Sequence, residues 1–153
     1  MSEALVPRFN IEKIYVKDLS LEIPHAPQVF LDREAPEIEV QVQSVGNNLD
    51  EGLFEVVLTV TVTAKLGEKT MFLVEAGQAG IFEVRNVPQE DIEPILSVAC
   101  PNIIFPYVRE TISDIVNRAG FPPILLSPVN FDAIYQQRLA DQETQPAAEV
   151  PIQ

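Results

Sequence analysis

Two long runs of alternating residues, Leu53 to Leu66 and Lys69 to Val84, stand back to back around the tight turn Leu66-Gly67-Glu68. In the first, Phe54, Val56, Leu58, Val60, Val62 and Leu66 share one parity, while Glu55, Thr59, Thr61, Thr63 and Lys65 share the other. In the second, Phe72, Val74, Ala76 and Phe82 fall on a face with Gln78, and Leu73, Glu75 and Glu83 lie opposite. A period of two sustained over such a length excludes a helix and demands extended chain with one dry face. At roughly 3.3 Å per residue the first run alone spans about 46 Å. A hairpin of that size needs further strands beside it and an apolar cover over its dry face.

The upstream sequence supplies the strands. Val6 to Ile23 reads as a long, irregular strand whose last part alternates cleanly, with Asp18, Ser20 and Glu22 on one side and Leu19, Leu21 and Ile23 on the other. A crossing loop follows, in which Pro24, Pro27 and Pro36 exclude both helix and central strand. Glu37 to Val42 alternates again, Ile38, Val40 and Val42 facing a core and Glu37, Glu39 and Gln41 facing water. The cluster Gly46 to Gly52 reads as a turn. Four antiparallel strands are expected, the first and last of them at the edges. A long apolar N-terminal strand left unpaired invites association with another copy.

The downstream sequence supplies the cover. After Val84 the period changes. Val87 to Val98 opens with Pro88 and an acidic first turn, Glu90 and Asp91, but Pro94 limits it to a short or broken helix. Pro101 starts a longer helix to about Ala119, with Ile104, Val108, Ile112, Ile115 and Val116 near helical spacing. Gly120 stands where a C-cap glycine belongs, and Pro122 and Pro123 forbid continuation. A last helix is expected from about Phe131 to Asp141. The fold class is therefore α+β: a four-stranded antiparallel sheet with C-terminal helices packed on one face. Residues 1–141 form one domain, and the polar tail 142–153 is expected to be disordered.

Charge narrows the function. The chain has 23 acidic and 10 basic side chains, a formal balance of −13. Such an excess argues against nucleic acid, whose phosphates need Lys and Arg to displace counterions, and against an anionic membrane surface. The N-terminal MSEALVPRFN has no basic-then-apolar leader, and the longest uncharged stretch, Pro94 to Val108, is too short and proline-rich for a membrane helix. The cytoplasm is the expected compartment. A single cysteine, Cys100, and a single histidine, His25, leave little for catalysis. Cys100 beside Pro101 reads as a small buried apolar residue and not as a nucleophile. Asn47 to Gly52 lacks the ligand spacing of a calcium loop. Gly77-Gln78-Ala79-Gly80 lies within a strand pattern, where it permits a bulge or close packing and binds no phosphate. No enzyme activity, cofactor or metal is expected.

Two features exceed what a plain core requires. One is the acidic sheet face, on which Asp18, Glu22, Glu37, Glu39, Glu55 and Glu75 project beside Leu73: a solvated surface or a docking patch for a basic partner. The other is a surplus of uncharged, aromatic and proline-bearing sequence in Val29-Phe30-Leu31, Pro101 to Tyr107 and Phe121 to Leu126. That surplus suits either an oligomer interface or an apolar groove for extended peptide.

Long contiguous runs carry a resemblance. They are IYVKDLSLE (Ile14 to Glu22), PHAPQVF (Pro24 to Phe30), EVVLTVTVTAKLGEKTMFLVE (Glu55 to Glu75), GIFEV (Gly80 to Val84), CPNIIFPYVRE (Cys100 to Glu110) and GFPPILLSPVNFDAIY (Gly120 to Tyr135). Over about Phe9 to Leu139 the chain resembles the SecB family of protein-export chaperones. The resemblance implies a homotetramer, a dimer of dimers, that binds unfolded precursor proteins without ATP and delivers them to the translocation motor SecA. It implies SecA docking at Asp18, Glu22, Leu73 and Glu75. It implies a peptide groove at Val40, Val42, Phe72, Tyr107 and Tyr135, with the crossing loop as a wall, and tetramer-maintaining packing at Val74, Ala76 and Gln78. Family members commonly carry a tryptophan two residues before the loop proline; here Glu34 stands in that place before Pro36. The alternative is a cytosolic adaptor that binds one folded basic partner through the acidic face and needs no promiscuous groove.

Overall fold

The computed structural model describes residues 5–144. One antiparallel sheet is formed by β1 (Arg8–Glu22), β2 (Glu37–Asp50), β3 (Leu53–Leu66) and β4 (Lys69–Arg85), in the order β1-β4-β3-β2. The edges are thus β1 and β2. The last strand, expected at an edge, lies inside, because β1 pairs its otherwise free side from Arg8 opposite Arg85 to Glu22 opposite Leu73. Among the described residues the N-terminal strand is therefore paired along one side and free only on the other.

Each hairpin is set by a glycine in the left-handed region. Gly67 (φ +63°) takes the first position of the two-residue turn joining β3 to β4, where a side chain would be strained. Gly52 (φ +74°) takes the second position of the turn joining β2 to β3, after Glu51. The segment Gly46 to Gly52 is not the loop its composition suggests, since β2 runs on to Asp50. Cross-strand pairing carries it, with Gly46 opposite Val56, Asn47 opposite Glu55 and Asn48 opposite Phe54. Poor strand formers are held by the long partner strand, because strand preference is set mostly by neighbours. Asn48 then closes the turn by donating from Nδ2 to the carbonyls of Asp50 and Leu53 at 2.9 and 3.1 Å.

The irregularity of β1 has a structural cause. Its register against β4 shifts between Ile11 and Lys13 and again between Val16 and Asp18, which makes Glu12 and Lys17 extra residues. Two bulges let Ile11, Ile14, Val16, Leu19 and Leu21 share the inner side although they do not keep strict alternation.

The helices lie against the inner face. A helical stretch begins with α1 (Gln89–Pro94), widens into a π-helical segment (Ile95–Ala99) and continues as α2 (Cys100–Arg118). The expected break at Pro94 is thus a change of pitch, with Pro94 and Pro101, neither of which has an N–H to give, on either side of the wide turns. Ile104, Val108, Ile112 and Val116 of α2 are wholly buried with Val56, Leu58, Val60, Val62, Val74, Ala76 and Phe82 of the sheet. Gly120 (φ +99°) ends α2 as expected: Phe121 N–H reaches Val116 O at 3.2 Å and Gly120 N–H reaches Asn117 O at 3.1 Å, a Schellman closure. The last helix, α3 (Phe131–Thr144), is capped by Asn130, whose Oδ1 accepts from Ala133 N–H at 2.9 Å. It extends past the expected Asp141; residues 145–153 of the tail lie outside the described residues. No described helix is long and apolar enough to cross a membrane.

Candidate functional site

Alternation within one sheet produces two surfaces of opposite character. On the inner side the helices cover β3 and β4 but leave β2 beside a furrow. Three connected hollows run along this strand. The first, of about 510 Å³, lies between the crossing loop (Val29, Phe30, Asp32 to Pro36), Ile38, Phe72 and the segment Gly120 to Ile124. The second, of about 600 Å³, shares Ile38 and Ile124 with it and continues along Val40 and Val42 against Phe105 and Leu125 to Val129. The third, of about 630 Å³, shares Val42 and ends between Ser44, Gly46, Leu96, Ser97, Phe131, Ile134, Tyr135 and Arg138. From Ile38 to Gly46 the floor is one edge strand, whose far side pairs with no other strand among the described residues.

Aromatic stacking builds the first end. Gly120 turns the chain so that Phe121 lies 4.7 Å from Phe72 and 5.1 Å from Phe30, centroid to centroid. A Cβ on Gly120 would stand 3.0 Å from the Phe30 ring, so the glycine also makes room for the crossing loop. Lys69 Nζ, 3.1 Å from Asp32 Oδ2, ties that loop to the β3–β4 hairpin. At the other end Phe105 meets Phe131 edge-on at 6.1 Å, and the Arg138 guanidinium lies 5.7 Å from the Tyr135 ring and donates to Ser97 Oγ at 3.0 Å. Apolar groups remain open to solvent along the furrow: Ile38, Val40 and Ile134 are about half exposed and Leu125 is 79% exposed.

Of the expected groove residues, Val40, Val42, Phe72 and Tyr135 line these hollows. Tyr107 does not; it projects from α2, half exposed. Phe30, Ile38, Phe121, Ile124 and Leu125 line the same hollows, although the expected groove residues do not include them. The signal for most of them was the uncharged surplus itself, in which four of the five fall.

The outer side carries charge. Register places Glu22 opposite Leu73, Ser20 opposite Glu75 and Asp18 opposite Gly77, so Asp18, Glu22, Leu73 and Glu75 gather on one face of two adjacent strands. The three acids are exposed and Leu73 is half-buried. Glu75 accepts from Thr61 Oγ1 at 2.9 Å and borders a polar hollow of about 550 Å³ with Gln41, Gln43, Thr59 and Thr61.

Glu55 departs from expectation. It faces outward but is only 6% exposed. The Tyr15 hydroxyl donates to its Oε2, and Lys17 Nζ lies 3.0 Å from both carboxylate oxygens. That hydroxyl bond, reinforced by Lys17, holds the Glu55 carboxyl below its ordinary range despite burial. The same bond, with burial and the carboxylate charge, pushes Tyr15 up to about 12. Tyr15 is therefore a proton donor at any physiological pH.

Val74, Ala76 and Gln78 are buried within the single chain, and Gln78 Oε1 accepts from Thr111 Oγ1 of α2 at 3.1 Å. Cys100 is also fully buried, and desolvation pushes its thiol up to about 12, which disfavours the thiolate a nucleophile needs.

An open antiparallel sheet with helices on one side, an apolar furrow at its edge and an acidic outer face has the shape and chemistry to hold extended polypeptide. The family described as "Preprotein translocase subunit SecB" matches residues 2–142. The chain is 66% identical over 140 residues to the "Protein-export protein SecB" of Chromobacterium violaceum, covering 92% of this chain and 93% of that one. It is 62% identical over 147 residues to the protein of the same name from Dechloromonas aromatica, covering 96% of each. In fold it is similar to a Mycobacterium tuberculosis SecB-like chaperone solved with a peptide of an antitoxin, at TM-score 0.67 and 15% identity, covering 80% of this chain and 91% of that one. The chain belongs to the SecB family of protein-export chaperones.

Proposed function

We propose that this chain is a cytoplasmic, ATP-independent holdase that keeps precursor polypeptides unfolded and passes them to SecA. The observation that carries the reading is the continuous apolar furrow beside a free strand edge. An unfolded client has no fixed sequence in common with the next, but every client offers apolar side chains and unpaired backbone. Side-chain burial at ~25 cal/mol per Å² and strand-like hydrogen bonding along β2 use only those shared properties. The adaptor reading has no use for such a furrow.

Assembly into a homotetramer is supported by the inner side of β1. Phe9, Ile11, Val16 and Leu19, each 39–50% exposed, form an apolar stripe beyond the helices. A stripe of this kind on a protein that works in water is an association surface, and the candidate partner is a second copy. Val74, Ala76 and Gln78 act on assembly at one remove, by seating α2 on the sheet. Several furrows on one tetramer raise the effective concentration of each along the same client, so individually weak contacts suffice.

SecA docks, on this reading, through Asp18, Glu22, Leu73 and Glu75: three carboxylates for attraction and one apolar contact. With no nucleotide-driven step of its own, the chaperone releases its client when that partner competes for it or distorts the bound state.

Light scattering on the purified protein, with and without an excess of reduced, unfolded client, tests the reading. A mass near four times 17.0 kDa that gains the client and keeps it soluble without ATP supports it. A particle that ignores several unrelated unfolded chains and binds only a folded basic protein overturns it in favour of the adaptor.

A further inference from the structure

The acidic face contains one ion pair whose position is unexplained by packing alone. Lys17 is the extra residue of the second β1 bulge, and its ammonium does not reach toward its neighbour Asp18 or across to Glu75. It crosses β4 to Glu55 on β3, in company with the Tyr15 hydroxyl. Strand β4 allows the crossing because its outward residues there are Gly77 and Ala79, both small and buried. A Cβ on Gly77 would already touch Asp18 Cβ at 3.6 Å.

The bulge decides which way Asp18 points. Leu19 and Leu21 pair with Ala76 and Val74 on the inner side, and Ile14 and Val16 pair with Gly80 and Gln78 on the same side. Only an extra residue between Val16 and Asp18 lets both sets face inward while Tyr15 and Asp18 both face outward. The same bulge puts Lys17 next to Asp18, so the place of its ammonium decides which charge is met beside Asp18.

We infer that Tyr15, Glu55 and Lys17 form a strap across the docking face that keeps the Lys17 charge off the carboxylates a basic partner meets. The inference rests on the docking role given to Asp18, Glu22, Leu73 and Glu75. The three strap residues are positioning residues and need not touch the partner. Glu55 takes one negative charge away from the face, being nearly buried, and in exchange removes the positive charge adjacent to Asp18. The face therefore presents Asp18, Glu22 and Glu75 with no ion pair among the described residues.

Charge and simple structural support predict opposite signs, which makes the strap testable on the full-length tetramer with SecA as the probe, by calorimetry at low salt. Glu55→Gln frees the ammonium beside Asp18 and is expected to weaken SecA binding about fivefold. Lys17→Met removes that ammonium and is expected to leave binding equal or tighter. The double variant is expected to return to within about twofold of the parent, because neutralising Lys17 cures what losing Glu55 causes. Unfolded-client binding is expected to be unchanged in all three. Loss of SecA binding in Lys17→Met, or a double variant weaker than Glu55→Gln, overturns the inference, since a purely structural strap behaves in that way. Glu75→Lys run alongside separates the two failures. If it weakens binding while Glu55→Gln does not, the strap alone is wrong; if neither has an effect, the docking face falls and takes the strap with it.

Discussion

On the proposed reading, the two faces of this sheet recognise by different physics, although their residues alternate along the same strands. Along β2, Ile38, Val40 and Val42 turn toward the furrow while Glu37, Glu39 and Gln41 turn toward the outer face. The furrow works by burial, which is short-ranged, indifferent to salt and tolerant of client sequence. The acidic face works by charge, which acts at a distance, orients a partner and depends on where each carboxylate stands. The furrow is shaped by stacked rings and a glycine-terminated helix, the acidic face by register and a bulge. The stacked rings of the furrow and the carboxylates of the outer face lie on different residues, so the two proposed functions are expected to be separable by substitution.

The largest effect that separates them is expected at Phe121. Its ring touches both Phe72 and Phe30, and it is 9% exposed. Phe121→Ala is expected to cost about 3–5 kcal/mol by urea unfolding and to impair client holding. SecA docking measured on the folded protein is expected to survive; its loss would show that the faces are coupled. Next comes Glu75→Lys, which puts a cation in the middle of the acidic face. SecA binding is expected to weaken roughly tenfold or more with client binding intact.

Salt sharpens the same division. Between ~0.1 M and ~1 M the screening length falls from about 10 Å to about 3 Å, so docking is expected to fade while client binding holds. Titration calorimetry at several salt concentrations reads both; parallel loss would contradict the division of labour. A smaller effect is expected at Leu125, which is 79% exposed on the furrow wall. Leu125→Ser is expected to change stability by no more than about 0.5 kcal/mol, yet to weaken client binding several-fold. Unaltered client affinity would remove the segment Ile124 to Val129 from the groove.

The smallest effect concerns pH. The folded-state pKa of Glu55 is lowered, chiefly by the Tyr15 hydrogen bond, so its stabilising contribution is fully present above the unfolded-state value. That contribution is lost as the pH falls below about 4.3 and through the lower folded value. The stability difference between the parent and Glu55→Gln is therefore expected to shrink from neutral pH to about pH 3. Circular dichroism of acid-titrated samples measures it, and a difference that grows on acidification would reverse the assigned sign.

Much of this arrangement was legible in the residues. The parity of Phe72, Val74, Ala76, Gln78 and Phe82 against Leu73, Glu75 and Glu83 separated the two faces before any contact was known. Gly67 and Gly120 marked a hairpin and a helix end because each sits where only a residue without Cβ is comfortable. The family resemblance rested on runs such as CPNIIFPYVRE and GFPPILLSPVNFDAIY, which cover the helix start and the groove wall.

What local pattern alone could not decide was settled by partners distant in sequence. Asn47 and Asn48 are poor strand formers, and only β3 beside them extends β2 to Asp50. Which strands lie at the edges depends on β1 folding back onto β4 across more than fifty residues, a choice that alternation does not encode. Parity put Glu55 on the wet side, and so it is; its burial arises because two bulge-shifted residues of β1 reach over Gly77 and Ala79 to meet it. Tyr107 has the composition of a groove residue and is half exposed on α2, yet it is not among the residues lining the three hollows along β2. Periodicity reports which side of its own strand or helix a residue occupies, a property of the local backbone. Which neighbours then cover, pair or neutralise that side is a property of chain segments brought together only by the fold.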